Sequence, residues 1–199
     1  YQTALFGKWH LNLPSSITPL ASGFDVASDP PLPPNEVDPW GVQQISNLAN
    51  DFMQTNVAND KPFFVEVAYK APHEPIRSRQ EVRDKYAALP PGTVHKSVPY
   101  AAMVDDLDSA VGTVLNKIND LGIADNTYIF FVTDNGAPIA YSSNAPLREG
   151  KVTIFEGGIR SPYIVKGPGV QANSFSSVPV LTTDLMTTFA ALAGFEGPT

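Results

Sequence analysis

From Thr127 to Thr133 the chain reads Thr-Tyr-Ile-Phe-Phe-Val-Thr, and it then breaks off at Asp134-Asn135-Gly136. A short apolar run dense in β-branched and aromatic residues is the pattern of a strand buried on both faces. Such a strand delivers a carboxylate and an amide oxygen to the carboxyl edge of a sheet, where open α/β folds place their sites. Hard cations take oxygen ligands of this kind, although Asp-Asn-Gly is also an ordinary turn after a strand. Pro146-Leu-Arg-Glu-Gly-Lys151 and Glu156-Gly-Gly-Ile-Arg160 follow closely. A lysine and an arginine in a Gly-rich loop bring positive charge towards the same edge, and a metal with a lysine suits an anionic substrate.

The rest of the chain alternates strand and helix patterns. Thr3–Phe6 reads as a short apolar strand running into Gly7-Lys8-Trp9-His10-Leu11. On an extended segment Lys8 and His10 point to one face and can address one site; equally, they suit a strand end with a solvated lysine and a hydrogen-bonded histidine. Residues 14–39 read as a proline-rich loop containing Gly23-Phe24-Asp25. Trp40–Val57 is expected to be a helix, with Val42, Ile45, Leu48, Ala49, Phe52 and Met53 on one face. Phe63–Tyr69 is a second strand, leading into Lys70-Ala71-Pro72-His73-Glu74-Pro75. A histidine between two prolines has a restricted backbone, which suits a positioned acid or base as well as a plain surface loop.

Arg77–Leu89 suggests a short exposed helix. A longer helix is expected from about Val98 to Leu121, capped by Ser97 and stopped by Gly122, with Val104, Leu107, Val111, Val114, Leu115, Ile118 and Leu121 as its apolar stripe. Asp105, Asp106 and Asp108 in its first half favour the helix dipole and read as solvated or structural. Tyr163–Val165 and Val178–Leu181 are predicted strands, and Leu185–Ala193 a predicted helix. Strands alternating with helices imply an α/β sandwich.

Composition narrows the function. The net charge of −7 argues against nucleic acid as a partner. No segment approaches the apolar length of a membrane span. There is no cysteine, hence no thiol nucleophile in these residues. The opening Tyr1-Gln-Thr-Ala-Leu-Phe reads like the middle of an αβ unit, and a segment of a longer protein is expected.

Taken in order, Gly7-Lys8-Trp9-His10-Leu11, Gly23-Phe24-Asp25, Pro62-Phe63-Phe64, Ala71-Pro72-His73-Glu74-Pro75, Tyr100-Ala-Ala-Met-Val104 with Leu107-Asp108, Asp134-Asn135-Gly136, Pro146–Lys151 and Glu156–Arg160 resemble the sulfatase family of the alkaline phosphatase superfamily. The resemblance runs through Thr183-Asp184-Leu185 and Leu192-Ala193-Gly194. It implies an alkaline-phosphatase-like mixed sheet sandwiched between helices, with residues 1–199 forming part of a single catalytic domain. It also implies hydrolysis of a sulfate ester, on a carbohydrate or an aryl alcohol, by a secreted or periplasmic enzyme. Asp134 and Asn135 match two ligands of the family's calcium. Lys8 and Lys151 match the lysines that hold the sulfate oxygens. His73 matches a histidine that contacts the sulfate and protonates the leaving oxygen, and His10 the histidine beside the nucleophile, which takes a proton from it.

The departures are as specific as the matches. The family's nucleophile is a formylglycine made from the Cys or Ser of a Cys/Ser-x-Pro-x-Arg motif, and this sequence contains no such motif. The family's early Asp-Asp pair, which completes the metal site, is also missing. Both lie upstream of Gly-Lys-Trp-His in the family, so the expectation is that the rest of the same polypeptide supplies them along with further strands of the sheet. Asn12 stands where glycine is usual, and the short span from Asp25 to Pro62 implies a reduced substrate-side loop and a more open pocket. Two alternatives stay open: a phosphonate or phosphate ester hydrolase of the same superfamily, and a sulfatase-like binding or structural module without a nucleophile.

Overall fold

The computed structural model describes residues 1–11, 17–28, 35–90 and 92–195. β1 (Gln2–Gly7) is the middle strand of a parallel sheet with β2 (Val26–Ser28) on one side and β3 (Phe63–Ala68) on the other. Alternation along the strands places Ala4 and Phe6 beside Phe63, Val65 and Val67 on one face, where α1 (Val42–Ala58) covers them with Ile45, Ala49 and Phe52. β2, α1 and β3 therefore form a crossover between parallel strands. That connection must start α1 at the carboxyl edge of the sheet, where β1 and β3 also end.

The proline-rich stretch is not loop throughout. It contains a 3-10 turn at Leu20–Ser22 and the strand β2, while residues 14–16 and 29–34 lie outside the described residues. β2 escaped the sequence reading because it is three residues long and its pairing is set from a distance. The Thr3 N–H and hydroxyl both donate to the Asp25 carboxylate, at 2.8 and 3.0 Å. These bonds hold the Asp25 carboxyl below the usual aspartate range. Phe24 of the same motif stacks on Phe64 and meets Trp9 edge-on. Gly23-Phe24-Asp25 thus fastens β2 to β1 and buttresses the Lys8-Trp9-His10 segment.

α2 (Gln80–Ala87) and α3 (Val98–Asp120) complete the first region. The Ser97 hydroxyl accepts the Tyr100 N–H, as expected of an N-cap. The packed face of α3 differs from the predicted stripe. Ala102, Met103, Asp106, Ala110 and Ile118 are buried, whereas Val104 is 40% exposed and Leu115 37%. Small residues at 102 and 110 permit close approach of a neighbouring helix, and that steric fact outweighs the hydrophobicity of the Val104 side. Ser46 bridges the layers: its hydroxyl lies 2.7 Å from Tyr69 Oη and donates towards the Ala110 carbonyl at 3.1 Å.

β4 (Ile129–Val132) pairs with β5 (Tyr163–Lys166) in a separate antiparallel ribbon. The expectation of a strand buried on both faces fails here. No residue of β4 or β5 is buried, because β5 is the only strand beside β4 among the described residues. Val178–Leu181 forms no strand and is exposed throughout; nothing among the described residues pairs with it. α5 (Asp184–Leu192) forms as predicted but buries no residue. Phe189 joins the two sheets, its ring 5.3 Å from Phe64 and 4.9 Å from Phe130. It thereby touches the second residue of β3 and the second residue of β4. Among the described residues no helix is long and apolar enough to cross a membrane.

Candidate active site

The candidate residues fall into two groups, each at the end of a strand. Lys8 and His10 follow β1, and His73 follows β3. Gly7 ends β1 at φ 115°, a conformation that favours glycine, and a Cβ there would strike the Ala68 carbonyl. That carbonyl accepts the Lys8 N–H at 2.7 Å. The segment beyond Gly7 is not strand, as the sequence reading had supposed; Lys8 is half-buried and His10 exposed. The Trp9 indole donates to the Ile17 carbonyl at 2.8 Å.

Lys70-Ala71-Pro72-His73 is a tight turn closed by the His73 N–H on the Lys70 carbonyl at 2.9 Å. Both prolines beside His73 follow cis peptide bonds. Nδ1 of His73 lies 2.8 Å from the Glu74 carbonyl, so Nδ1 carries the hydrogen and Nε2 faces outward with its lone pair. In the protonated form Nε2 becomes a donor, the form an acid needs. Burial pushes the Tyr69 hydroxyl above its ordinary range at the root of this turn.

Asp134, Asn135 and Lys151 make up the second group. Gly136 is obligatory: a side chain there would strike the Gly157 carbonyl, and its own N–H donates to the Gly158 carbonyl at 2.9 Å. Lys151 is brought back to the strand end by its N–H, which donates to the Ala137 carbonyl at 3.2 Å. The two residues flanking Gly150-Lys151 are bent: Glu149 at φ 64° and Val152 at φ 69°. A β-branched residue in the left-handed region is strained by about 1–3 kcal/mol and persists only where its surroundings enforce it. Asn144 holds the Glu149 side of this turn. Its Oδ1 accepts the Ala137 N–H at 3.0 Å, and its Nδ2 donates to the Ala137 and Glu149 carbonyls at 2.8 and 3.1 Å. The sequence reading missed Asn144, and no motif flagged it, because its partners lie seven residues back and five ahead.

One helix receives a loop from each group. The Arg77 N–H meets Met103 Sδ at 3.3 Å, and Asp106 accepts the Arg79 N–H and Nε–H at 2.8 and 2.6 Å. These contacts dock the His73 loop on the first turns of α3. Three residues from the cap, Tyr100 stacks on Tyr141 with centroids 6.3 Å apart and ring planes 9° apart. His95 adds a contact from Nδ1 to the Ser142 hydroxyl at 3.2 Å. The loop after Asn135 is thereby docked on the same turns of α3. Asp106 is structural, Asp105 pairs with Lys85 at 2.6 Å and Asp108 is exposed.

Asp134 and Asn135 have the hard oxygen donors that calcium prefers, but two side chains fall short of its roughly six to eight ligands. Among the described residues no group of three or more His, Cys, Asp or Glu is arranged to hold a metal. Asp134 and Asn135 thus fit calcium in ligand chemistry, as a pair too small to hold it alone.

The mixed α/β scaffold that carries these strand ends is of the alkaline-phosphatase-like type. A superfamily member from Vibrio parahaemolyticus superposes with a TM-score of 0.62 at 17% identity, over 98% of this chain and 44% of its own. The sulfatase family model matches residues 1–195. N-acetylgalactosamine-6-sulfatase of Rattus norvegicus is 32% identical over 236 residues, covering 100% of this chain and 43% of the relative. The crystal structure of Ps i-CgsB in complex with k-i-k-neocarrahexaose superposes with a TM-score of 0.84 at 27% identity, over 100% of this chain and 52% of that one. The chain belongs to the sulfatase family, and it spans less than half the length of the curated relatives it matches.

Proposed function

We propose that residues 1–199 are part of the single catalytic domain of a sulfatase that hydrolyses a sulfate ester on a carbohydrate. The observation that carries this reading is the docking of both strand-end groups on the first turns of α3. In this reading Lys8 and Lys151 hold the sulfate oxygens, where fixed positive charge offsets the charge of the sulfuryl group. His73, with Nδ1 tied to the Glu74 carbonyl, contacts the sulfate and gives its Nε2 proton to the departing alcohol oxygen. His10 accepts a proton beside the nucleophile. Asp134 and Asn135 would hold calcium, whose charge screens the sulfuryl oxygens. The remaining ligands and a formylglycine nucleophile come from upstream sequence of the same polypeptide.

A carbohydrate is favoured because the relatives named above are an N-acetylgalactosamine-6-sulfatase and a protein crystallised with neocarrahexaose. The same relatives support secretion, to the periplasm or beyond, as the setting for such substrates. The uncovered surfaces of β4, β5 and α5 are where the rest of the polypeptide packs. The test is sulfate release by the longer polypeptide, combined with a peptide mass map. Turnover of an aryl sulfate, together with the mass of formylglycine in a Cys/Ser-x-Pro-x-Arg peptide, is the expected result. Turnover of phosphonate esters alone would move the reading to the sister hydrolases. An intact unmodified side chain at the nucleophile position, with no turnover, would leave a binding module.

A further inference from the structure

Two cations flank His73 on its own loop, and neither has a role in the chemistry above. Lys70 lies three residues before it and Arg77 four after. Both rest on one indole: Lys70 Nζ is 4.6 Å from the Trp40 ring centroid and Arg77 Cζ 5.9 Å. Trp40 is buried in a cluster with Val42, Ala71 and Met103, so the indole is a fixed platform. It stands two residues before α1, at the end of that helix which the crossover puts at the carboxyl edge of the sheet. The platform therefore shares its edge with Lys8 and His73.

The chain carries seven more acidic than basic side chains, yet neither Lys70 nor Arg77 makes an ion pair with a carboxylate among the described residues. Ten of the thirteen Lys and Arg share that state; what distinguishes Lys70 and Arg77 is that both rest on one buried indole. Arg77 is exposed and Lys70 half-buried. A cation seated on an aromatic face keeps its outward N–H donors for an anion, and a guanidinium offers them as a planar fork.

Resting on the sulfatase reading, we propose that Lys70 and Arg77, held by Trp40, form a second anion subsite beside the reacting sulfate. The substrate class is then a polyanionic carbohydrate, with a further sulfate or carboxylate on the sugar next to the one that is cleaved. The subsite selects among sulfate esters and does not take part in bond breaking.

The experiment uses the longer, metal-loaded polypeptide and compares two substrates: 4-nitrophenyl sulfate, with one anionic group, and sulfated tetrasaccharides from chondroitin sulfate and carrageenan, with several. The readout is the ratio of kcat/KM for the tetrasaccharide that is turned over to kcat/KM for the aryl sulfate. Lys70→Gln with Arg77→Gln should lower that ratio at least tenfold, mainly through KM of the tetrasaccharide, and Lys70→Arg should restore most of the loss from Lys70→Gln. A ratio unchanged within twofold overturns the subsite, whether both activities fall together or neither falls. If the wild type releases sulfate from neither substrate, the sulfatase reading fails. Calorimetric binding of the tetrasaccharides then decides the subsite: affinity lost in the double variant upholds it, and absent or unaltered binding overturns it.

Discussion

The region before residue 125 and the region after it obey different packing rules within one chain. The first buries Leu5, Ile45, Met53 and Met103 almost completely. The second, from β4 to α5, buries no large apolar side chain, although Phe175, Val178, Leu181 and Met186 are all apolar and exposed. Surface of that extent on a folded chain marks a place where something else packs. Sulfatase relatives about twice as long supply the candidate for that covering: further polypeptide of the same chain. Chemistry-bearing residues are divided between the regions, with Lys8, His10 and His73 on the packed one and Asp134, Asn135 and Lys151 on the open one. The open half of the site keeps its shape through local means, namely the Asn144 clamp and the Tyr100–Tyr141 stack.

The largest expected contrast is in amide exchange of residues 1–199 on their own. Protection in α1 and α3 should exceed that in β4, β5 and α5 by about a thousandfold or more, since the latter have few buried contacts to resist local opening. Equal protection in the two regions would break the comparison. Next comes Met103→Ala, which removes a fully buried side chain under the His73 loop and should cost about 2–5 kcal/mol in denaturant unfolding. Met186→Ala, at 75% exposure, should stay within about 0.5 kcal/mol in the same chain. In the longer polypeptide the Met186 cost should rise towards that of a core residue; if it does not, the α5 surface is not covered by that polypeptide.

Asn144→Ala sharpens the comparison at the open half. It leaves the Ala137 N–H and the Glu149 carbonyl without their partner and loosens the turn, a loss of about 1–3 kcal/mol. Activity of the longer polypeptide should fall about 10- to 100-fold, which a fluorogenic sulfate assay would read.

The smallest effect is expected at Glu66, on the sheet face away from α1. Although Glu66 is exposed, partial desolvation raises its carboxyl above the ordinary glutamate range. The folded chain thus holds this proton more tightly than the unfolded chain. The stability it lends is complete below the unfolded pKa and fades as pH rises through the folded value. Glu66→Gln should therefore raise Tm slightly at pH 7, and the gain should vanish as pH falls below about 4. A gain that persists in acid would show that the side chain, not its charge, is responsible.

Much of this architecture was legible in the residues. β1, α1, β3, α3, β4, β5 and α5 all appear where apolar period and capping signals put them. The errors have a common origin. The Val104 stripe, the burial of β4 and the strand at Val178–Leu181 were inferred from hydrophobicity, which reports what a segment can bury and not whether its neighbour is present. β2 was missed because three residues are too few for a period, and its Asp25 anchor acts across 22 positions. In the candidate site, the strand-end placement of each motif was readable one by one. Their gathering on α3 was not, since Tyr100–Tyr141 and Arg79–Asp106 are tertiary contacts. Asn144 was invisible for the same reason.

The central claim is that the packed half and the open half serve one sulfate. A crystal structure of the longer polypeptide with bound sulfate tests it most directly. The account predicts Lys8 Nζ, His73 Nε2 and Lys151 Nζ within hydrogen-bond distance of the same ion, with Asp134 and Asn135 on an adjoining calcium. A sulfate held by one group alone, with the other group turned away from it, would contradict it.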